Sequence, residues 1–268
     1  MRILVLGDIM GISGRVALSQ KLPNLIKNNK IDFVIVNGEN ASDDGRGITQ
    51  NIAEEFFKNG VDVITSGNHI WDKEETTKYI DKENRLLRPS NLAEGSPGRG
   101  YEVYFSKCKN YKIGVINLMG NVFMRKTEDV FQEAKKISKK IILKKNVDFL
   151  VVDFHGEITS EKMAIGHFFD GMVTCVVGTH THVPTADTRI LDKGTAYQTD
   201  IGMCGDYNSV IGMNKENSIK RFLKNKDAIK NFPAEGEGTL SGIIVETNEE
   251  TGLANKVTRI INGGSLAK

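Results

Sequence analysis

The chain has 268 residues, 39% of them hydrophobic and 26% charged, with a formal net charge of +2. That length accommodates a large core, and the composition excludes a disordered chain or one built of long apolar spans. A charge so near neutral excludes a nucleic-acid footprint over the whole surface, so no stable nucleic-acid partner is expected. The first apolar run, Ile3 to Leu6, is broken by Gly7-Asp8. It is too short for a secretory segment and reads as a strand. No run approaches the roughly 18 apolar residues that cross a bilayer, so no membrane is expected. Cys108, Cys175 and Cys204 form no Cys-x-x-Cys pair. That argues against a disulfide framework or zinc ribbon and for a reducing cytoplasm.

In chain order, Ile3 to Leu6 leads into Gly7-Asp8-Ile9 and a helix over about 14–28. The unit repeats: Phe33 to Val36 ends in Asn37-Gly38-Glu39-Asn40, with a helix near 49–58, and Val61 to Ile64 ends in Ser66-Gly67-Asn68-His69, with a helix over 73–80. Three β-α units imply parallel strands with helical crossovers, and ligands gather at the carboxyl ends of such strands. Tyr101 to Phe105 and Lys112 to Asn117 read as an antiparallel pair, and 128–145 as a lysine-rich amphipathic helix with a solvated outer face. Asp148 to Asp153 is a buried strand ending at Phe154-His155-Gly156-Glu157, and Val173 to Val177 another ending at Gly178-Thr179-His180-Thr181-His182. A hairpin over 189–198, a helix over 217–224 and a second hairpin over 241–261 complete the pattern. No interdomain linker breaks it, so one α/β domain over 1–268 is expected.

Five strand ends therefore carry candidate metal ligands: Asp8, Glu39 with Asn40, Asn68, His155, and His180 with His182. Singly, each reads as a turn, cap or structural residue. Jointly, they present oxygen and nitrogen donors without a thiolate, which favours Mn, Fe, Co or Zn. Seven ligands suit two divalent ions about 3.5–4 Å apart rather than one. Two such ions, less Asp8, Glu39 and a shared hydroxide, leave a residual charge near +1 that attracts a phosphate ester. His69, beside Asn68 but outside the ligand set, is the candidate general acid.

Among the weaker features, Asp72 reads as a capping-box-like helix start in preference to a partner for His69. Trp71 reads as packed against the sheet, Cys175 as core and His167 as structural. Gly11 to Gly14 is a weak candidate for a phosphate-binding helix start, and the roles of Asp200 and Cys204 stay open.

These residues resemble those of the calcineurin-like metallophosphoesterases, through Gly67-Asn68-His69 and Gly178-Thr179-His180-Thr181-His182. Within that superfamily the chain is most similar to the bacterial YmdB-type subgroup. The added elements are Gly7-Asp8-Ile9, Asn37-Gly38-Glu39-Asn40, Asp153-Phe154-His155 and Thr199-Asp200-Ile201-Gly202-Met203-Cys204-Gly205. Met10 stands where the superfamily has a histidine and Glu39 where it has an aspartate, two departures the subgroup shares. The resemblance implies a four-layer α/β/β/α sandwich, a homo-oligomer, and two ions per chain, Fe or Mn foremost. By the same resemblance Asp8 and His182, with Asn40 nearby, serve one ion; Asn68, His155 and His180 serve the other; and Glu39 bridges. The implied reaction is hydrolysis of cyclic nucleotides, notably 2′,3′-cyclic nucleotides to 3′-nucleotides, with His69 protonating the 2′ oxygen. The alternatives are a phosphomonoesterase resembling the nucleotidases and a slow nucleotide-sensing regulatory protein.

Overall fold

The computed structural model describes residues 1–106 and 111–267; Cys108 lies outside the described residues. The amino-terminal half begins with β1 (Arg2–Ile9), α1 (Gly11–Asn29), β2 (Phe33–Asn37), α2 (Gln50–Lys58), β3 (Val63–Thr65) and α3 (Glu74–Tyr79). There follow β4 (Tyr101–Phe105), β5 (Lys112–Met119), α4 (Val130–Ile137), β6 (Phe149–His155), α5 (Thr159–Phe168) and β7 (Cys175–Thr179). The chain ends with β8 (Arg189–Ile190), β9 (Ala196–Gln198), β10 (Met203–Cys204), α6 (Lys215–Phe222), β11 (Leu240–Thr247) and β12 (Ala254–Asn262). Among the described residues no helix is long and apolar enough to cross a membrane.

Two sheets result. One has the order β12-β11-β1-β2-β3, with β10 extending the pairing of β1; the other has the order β4-β5-β6-β7-β9-β8. Strand alternation sorts the apolar residues into three layers of packing. Ile3 and Val5 of β1 meet Phe149 and Val151 of β6 in the core between the sheets. Leu4 and Leu6 turn the other way, onto α1 and α2, and Leu150 and Val152 turn onto α4 and α5. The order is therefore α/β/β/α, as expected. It also explains why the strands read as unbroken apolar runs: both faces are covered.

The strands at 101–105 and 112–119 pair antiparallel as expected, as do β11 and β12. The helix expected over 128–145 is shorter, ending at Ile137. Asp129 caps its start by accepting from the Gln132 N–H at 2.8 Å. Beyond it, Asn146 accepts from the Ile142 N–H and donates to the Lys140 carbonyl, both at 2.7 Å. A side chain that bonds the backbone locally in this way competes with continued helix.

The segment between β9 and β10 crosses from one sheet to the other at the carboxyl ends of their parallel strands. Ile201 N–H donates to the Gly178 carbonyl of β7, and Asp8 N–H of β1 donates to the Gly202 carbonyl. The ends of β1 and β7, far apart in sequence, are thereby fixed side by side.

Candidate metal centre

At this edge the chain brings the expected residues together. Nε2 of His155 lies 3.1 Å from Glu39 Oε1, 3.1 Å from Asn68 Oδ1 and 3.0 Å from His180 Nδ1. Donor atoms of Glu39, His155 and His180 all fall within 4.8 Å of one another. Beside them, His182 Nε2 lies 3.2 Å from Asn40 Oδ1. Asp8 accepts from the His180 N–H at 3.1 Å through Oδ2. Its other oxygen, Oδ1, is buried without a hydrogen-bond partner. Glu39, Asn40, His69, His180 and His182 line a cleft of about 380 Å³.

How alternate residues of one segment both reach this cleft is visible in the backbone. His180 and His182 follow β7 with φ of 100° and 66°. Such values for non-glycine residues cost on the order of 1–3 kcal/mol each and persist where the surroundings hold them. Here Asp200 does so. Its Oδ2 accepts from the Thr181 N–H and hydroxyl at 3.1 and 2.8 Å and from Lys162 Nζ at 2.5 Å, while Oδ1 accepts from the Gly202 N–H.

Hydrogen bonds behind the imidazoles aim their nitrogens. Thr179 Oγ1 donates to Asp153 Oδ1 at 2.8 Å, so it accepts from His155 Nδ1–H at 2.9 Å and leaves Nε2 facing Glu39, Asn68 and His180. His182 Nδ1–H donates to the Ile211 carbonyl at 2.8 Å, leaving Nε2 towards Asn40.

The electrostatics call for a cation. Burial opposes charge on His155, but the Glu39 carboxylate and its hydrogen bond outweigh it and raise the imidazole to about 9. Burial likewise pushes Glu39 up, and the charge of His155 with that hydrogen bond brings it down to about 2. Burial raises Asp8 to about 6 against the pull of His182 and His155, and lowers His180 to about 3 with the help of the His155 charge. Two fully buried carboxylates thus depend on the positive charge of neighbouring imidazoles, His155 foremost for Glu39 and His182 foremost for Asp8. A divalent ion among the same donors would neutralise them better than those imidazoles. Gly67 leaves the room: a Cβ there would sit 2.5 Å from Glu39 Oε2 and nearer still to the His155 ring. The orphaned Asp8 oxygen, the donor chemistry and this cradle all fit a metal centre.

The family described as YmdB-like protein matches residues 4–260. The chain belongs to this family. It is 43% identical to the 2′,3′-cyclic-nucleotide 2′-phosphodiesterase of Bacillus subtilis (strain 168), over 97% of each chain. The crystal structure of a phosphatase from Mycoplasma pneumoniae superposes with a TM-score of 0.88 at 36% identity, covering 98% of this chain and 94% of that one. The 5′-nucleotidase of Candida albicans superposes at 0.55 with 13% identity, covering 97% of this chain and 51% of that one, a likeness of fold alone. The YmdB-like chain thus carries the calcineurin-like α/β/β/α architecture expected of it.

One sequence expectation for this YmdB-like protein needs correction. Asp72 does not cap α3, whose N-cap is Lys73 without a side-chain hydrogen bond. Instead Asp72 Oδ2 lies 2.7 Å from His69 Nδ1, and Arg125 Nη1 donates to Oδ1 at 3.0 Å. Burial works against the Asp72 charge, yet the hydrogen bonds from His69 and Arg125 lower its pKa. The amides of Gly11 and Gly14 are not available to a phosphate, since they donate to the Asn40 and Met10 carbonyls. Asp200, left open, is a buried anchor, and Cys204 is buried under the helical layer. Trp71 packs against that same core, Cys175 lies between the sheets, and His167 is exposed on α5.

The residues missed are those behind the first row. Asp153 accepts from Thr65, Asn37 and Thr179, tying both sheets together beneath the site. Its place two residues before His155, on the same strand face, was the available signal. Lys162 had none: a lone lysine on an amphipathic helix ordinarily points to solvent, but here its side chain is 2% exposed. Besides Asp200, it donates to the Thr179 carbonyl at 2.8 Å. Removing it strands a buried carboxylate, so Lys162→Met is expected to lose about 3–5 kcal/mol of stability. Urea unfolding measures this; a loss below about 1 kcal/mol would contradict it.

Proposed function

We propose that this chain is a dinuclear-metal phosphodiesterase that hydrolyses 2′,3′-cyclic nucleotides to 3′-nucleotides. The observation that carries the reading is the convergence of Glu39, Asn68 and His180 on His155 Nε2, with His69 at the rim of the same cleft. The similarity to the Bacillus subtilis enzyme supports the choice of substrate. Asn68, His155 and His180 would hold one ion, Asp8, His182 and Asn40 the other, and Glu39 both. The donors suit Fe or Mn first, with Zn or Co as substitutes. Bound there, the ions supply Lewis-acid polarisation of the phosphoryl group and a water acidic enough to attack at neutral pH.

The chain's own residues do the rest. His180 and His182 are held in place through Asp200, and His155 through Thr179. The His69 backbone N–H donates to Glu39 Oε2 at 3.0 Å, which fixes the acid relative to the centre. Asp72 holds His69 Nδ1–H, so Nε2–H can pass its proton to the departing 2′ oxygen. We further place the enzyme in the reducing cytoplasm as a homo-oligomer; α6 leaves Phe222 82% exposed and Leu223 follows at 75%, an apolar surface that a second copy would cover.

Protein stripped of metal and reconstituted with Mn or Fe should bind two ions per chain and cleave 2′,3′-cyclic AMP far faster than 5′-AMP. Full activity at one ion per chain would sink the dinuclear mechanism. A preference for 5′-AMP would replace the phosphodiesterase with a nucleotidase, and tight nucleotide binding with negligible turnover would make the chain a sensor.

A further inference from the structure

We infer that Arg46 is a substrate-binding residue that grips the outer oxygens of the phosphate, a role that rests on the phosphodiesterase reading. Arg46 lines the same cleft as Glu39, His69 and His182, and among the lining residues it is the only lysine or arginine.

The loop that carries it is built to hold it there. Asn40 Nδ2 donates to the Gly45 carbonyl at 2.9 Å, Gly45 N–H to the Ser42 carbonyl at 2.8 Å, and Ser42 to the Gly47 carbonyl through both its N–H and its hydroxyl. Gly47 N–H closes the loop onto the Glu39 carbonyl. Gly45 and Gly47 adopt φ of 75° and 76°, and a Cβ on Gly47 would fall 3.1 Å from the His69 carbonyl oxygen. Both flanking glycines are therefore buried and bonded, and Arg46 between them is exposed.

Its guanidinium is left available. Of the two acids on the loop, Asp43 is paired with Arg15 at 2.7 Å, and Asp44, paired with Lys73 at 2.8 Å, meets Arg46 only at its backbone N–H, 3.3 Å away. Among the described residues no carboxylate forms an ion pair with the Arg46 guanidinium. An unpaired guanidinium on a rigid loop that also carries Asn40 is a ready partner for a phosphate: its planar fork matches two oxygens at once. A cyclic diester carries one negative charge, and a second develops as the entering oxygen bonds to phosphorus, so the fork gains most as the reaction proceeds.

The test uses the Mn-reconstituted full chain. Arg46→Met is expected to lower kcat/KM for 2′,3′-cyclic AMP by about 10–100-fold, the range of a charge-assisted hydrogen bond. It should also weaken binding of inorganic phosphate, measured by calorimetry, by about 10-fold or more, with metal content unchanged. Arg46→Lys should recover part of both. Unchanged kcat/KM and unchanged phosphate binding in Arg46→Met would overturn the assignment, as would loss of metal, which would make the loop a scaffold only. If the wild-type chain cleaves no phosphodiester, the functional reading fails by itself, and the phosphate titration alone then judges Arg46: weaker binding in Arg46→Met supports it and equal binding overturns it.

Discussion

Gly67→Ala is expected to lose metal from the centre without losing the fold. The backbone at this position is not left-handed, so alanine meets no conformational barrier there; the conflict is one of space. The new methyl would press on the His155 ring and Glu39 Oε2, and neither can yield without giving up a partner. His155 is held by Thr179 at 2.9 Å, and Glu39 by the His69 N–H at 3.0 Å. The glycine itself cannot retreat easily, because Ser66 N–H donates to Asn117 Oδ1 at 2.9 Å and the Ser66 hydroxyl to the Leu87 carbonyl at 2.7 Å. The methyl would displace two of the proposed ligands directly, so metal affinity should fall by more than the 10–100-fold typical of a lost supporting hydrogen bond. Elemental analysis after reconstitution should find clearly fewer than two ions per chain, with turnover falling in proportion and circular dichroism preserved. A variant that keeps both ions and wild-type turnover would remove Gly67 from the cradle.

The same position shows what a sequence can disclose. Gly67-Asn68-His69 was legible because an apolar run ends just before it and ligand-type residues end four other runs. The layering of the fold was legible for a related reason: Ile3 and Val5 face one core and Leu4 and Leu6 another, so burial on both faces leaves no polar residue to interrupt the strand.

What escaped was the supporting row, whose partners meet only through the fold. Asn37 and Asp153 bond at 3.0 Å across 116 positions of sequence. No local period announces such a pair. Lys162 was hidden because its burial depends on Asp200 arriving from the other side. Asp72 is a different case, since its i, i+3 spacing from His69 was in plain view. The same short segment, Asp72-Lys73-Glu74-Glu75, fits a helix start equally well. Only the packing of Arg125 against Asp72, with His69 on its other oxygen, decides between them. The over-long helix at 128–145 failed for a similar reason: its apolar spacing continues to Ile141, while Asn146 ends the helical hydrogen bonding from beyond it.

His69→Ala separates proton transfer from metal binding, and its expected result is a fully metallated protein that turns over about 10²–10⁴ times more slowly. The ring of His69 is not among the groups that converge on His155 Nε2; its contact with the centre is through the backbone N–H, which alanine retains. With a side chain 22% exposed at the cleft rim and Nδ1 committed to Asp72, it has one nitrogen left for substrate. The loss should depend on the leaving group. A 2′ oxygen departs poorly without a proton, whereas a p-nitrophenolate needs none, so bis-p-nitrophenyl phosphate should lose far less activity than 2′,3′-cyclic AMP. Asp72→Asn should act in the same direction but less severely, since the imidazole remains while its orientation loosens. Equal losses on both substrates would mean that His69 binds or positions the ester instead of protonating it, and unchanged turnover on 2′,3′-cyclic AMP would remove it from the mechanism altogether.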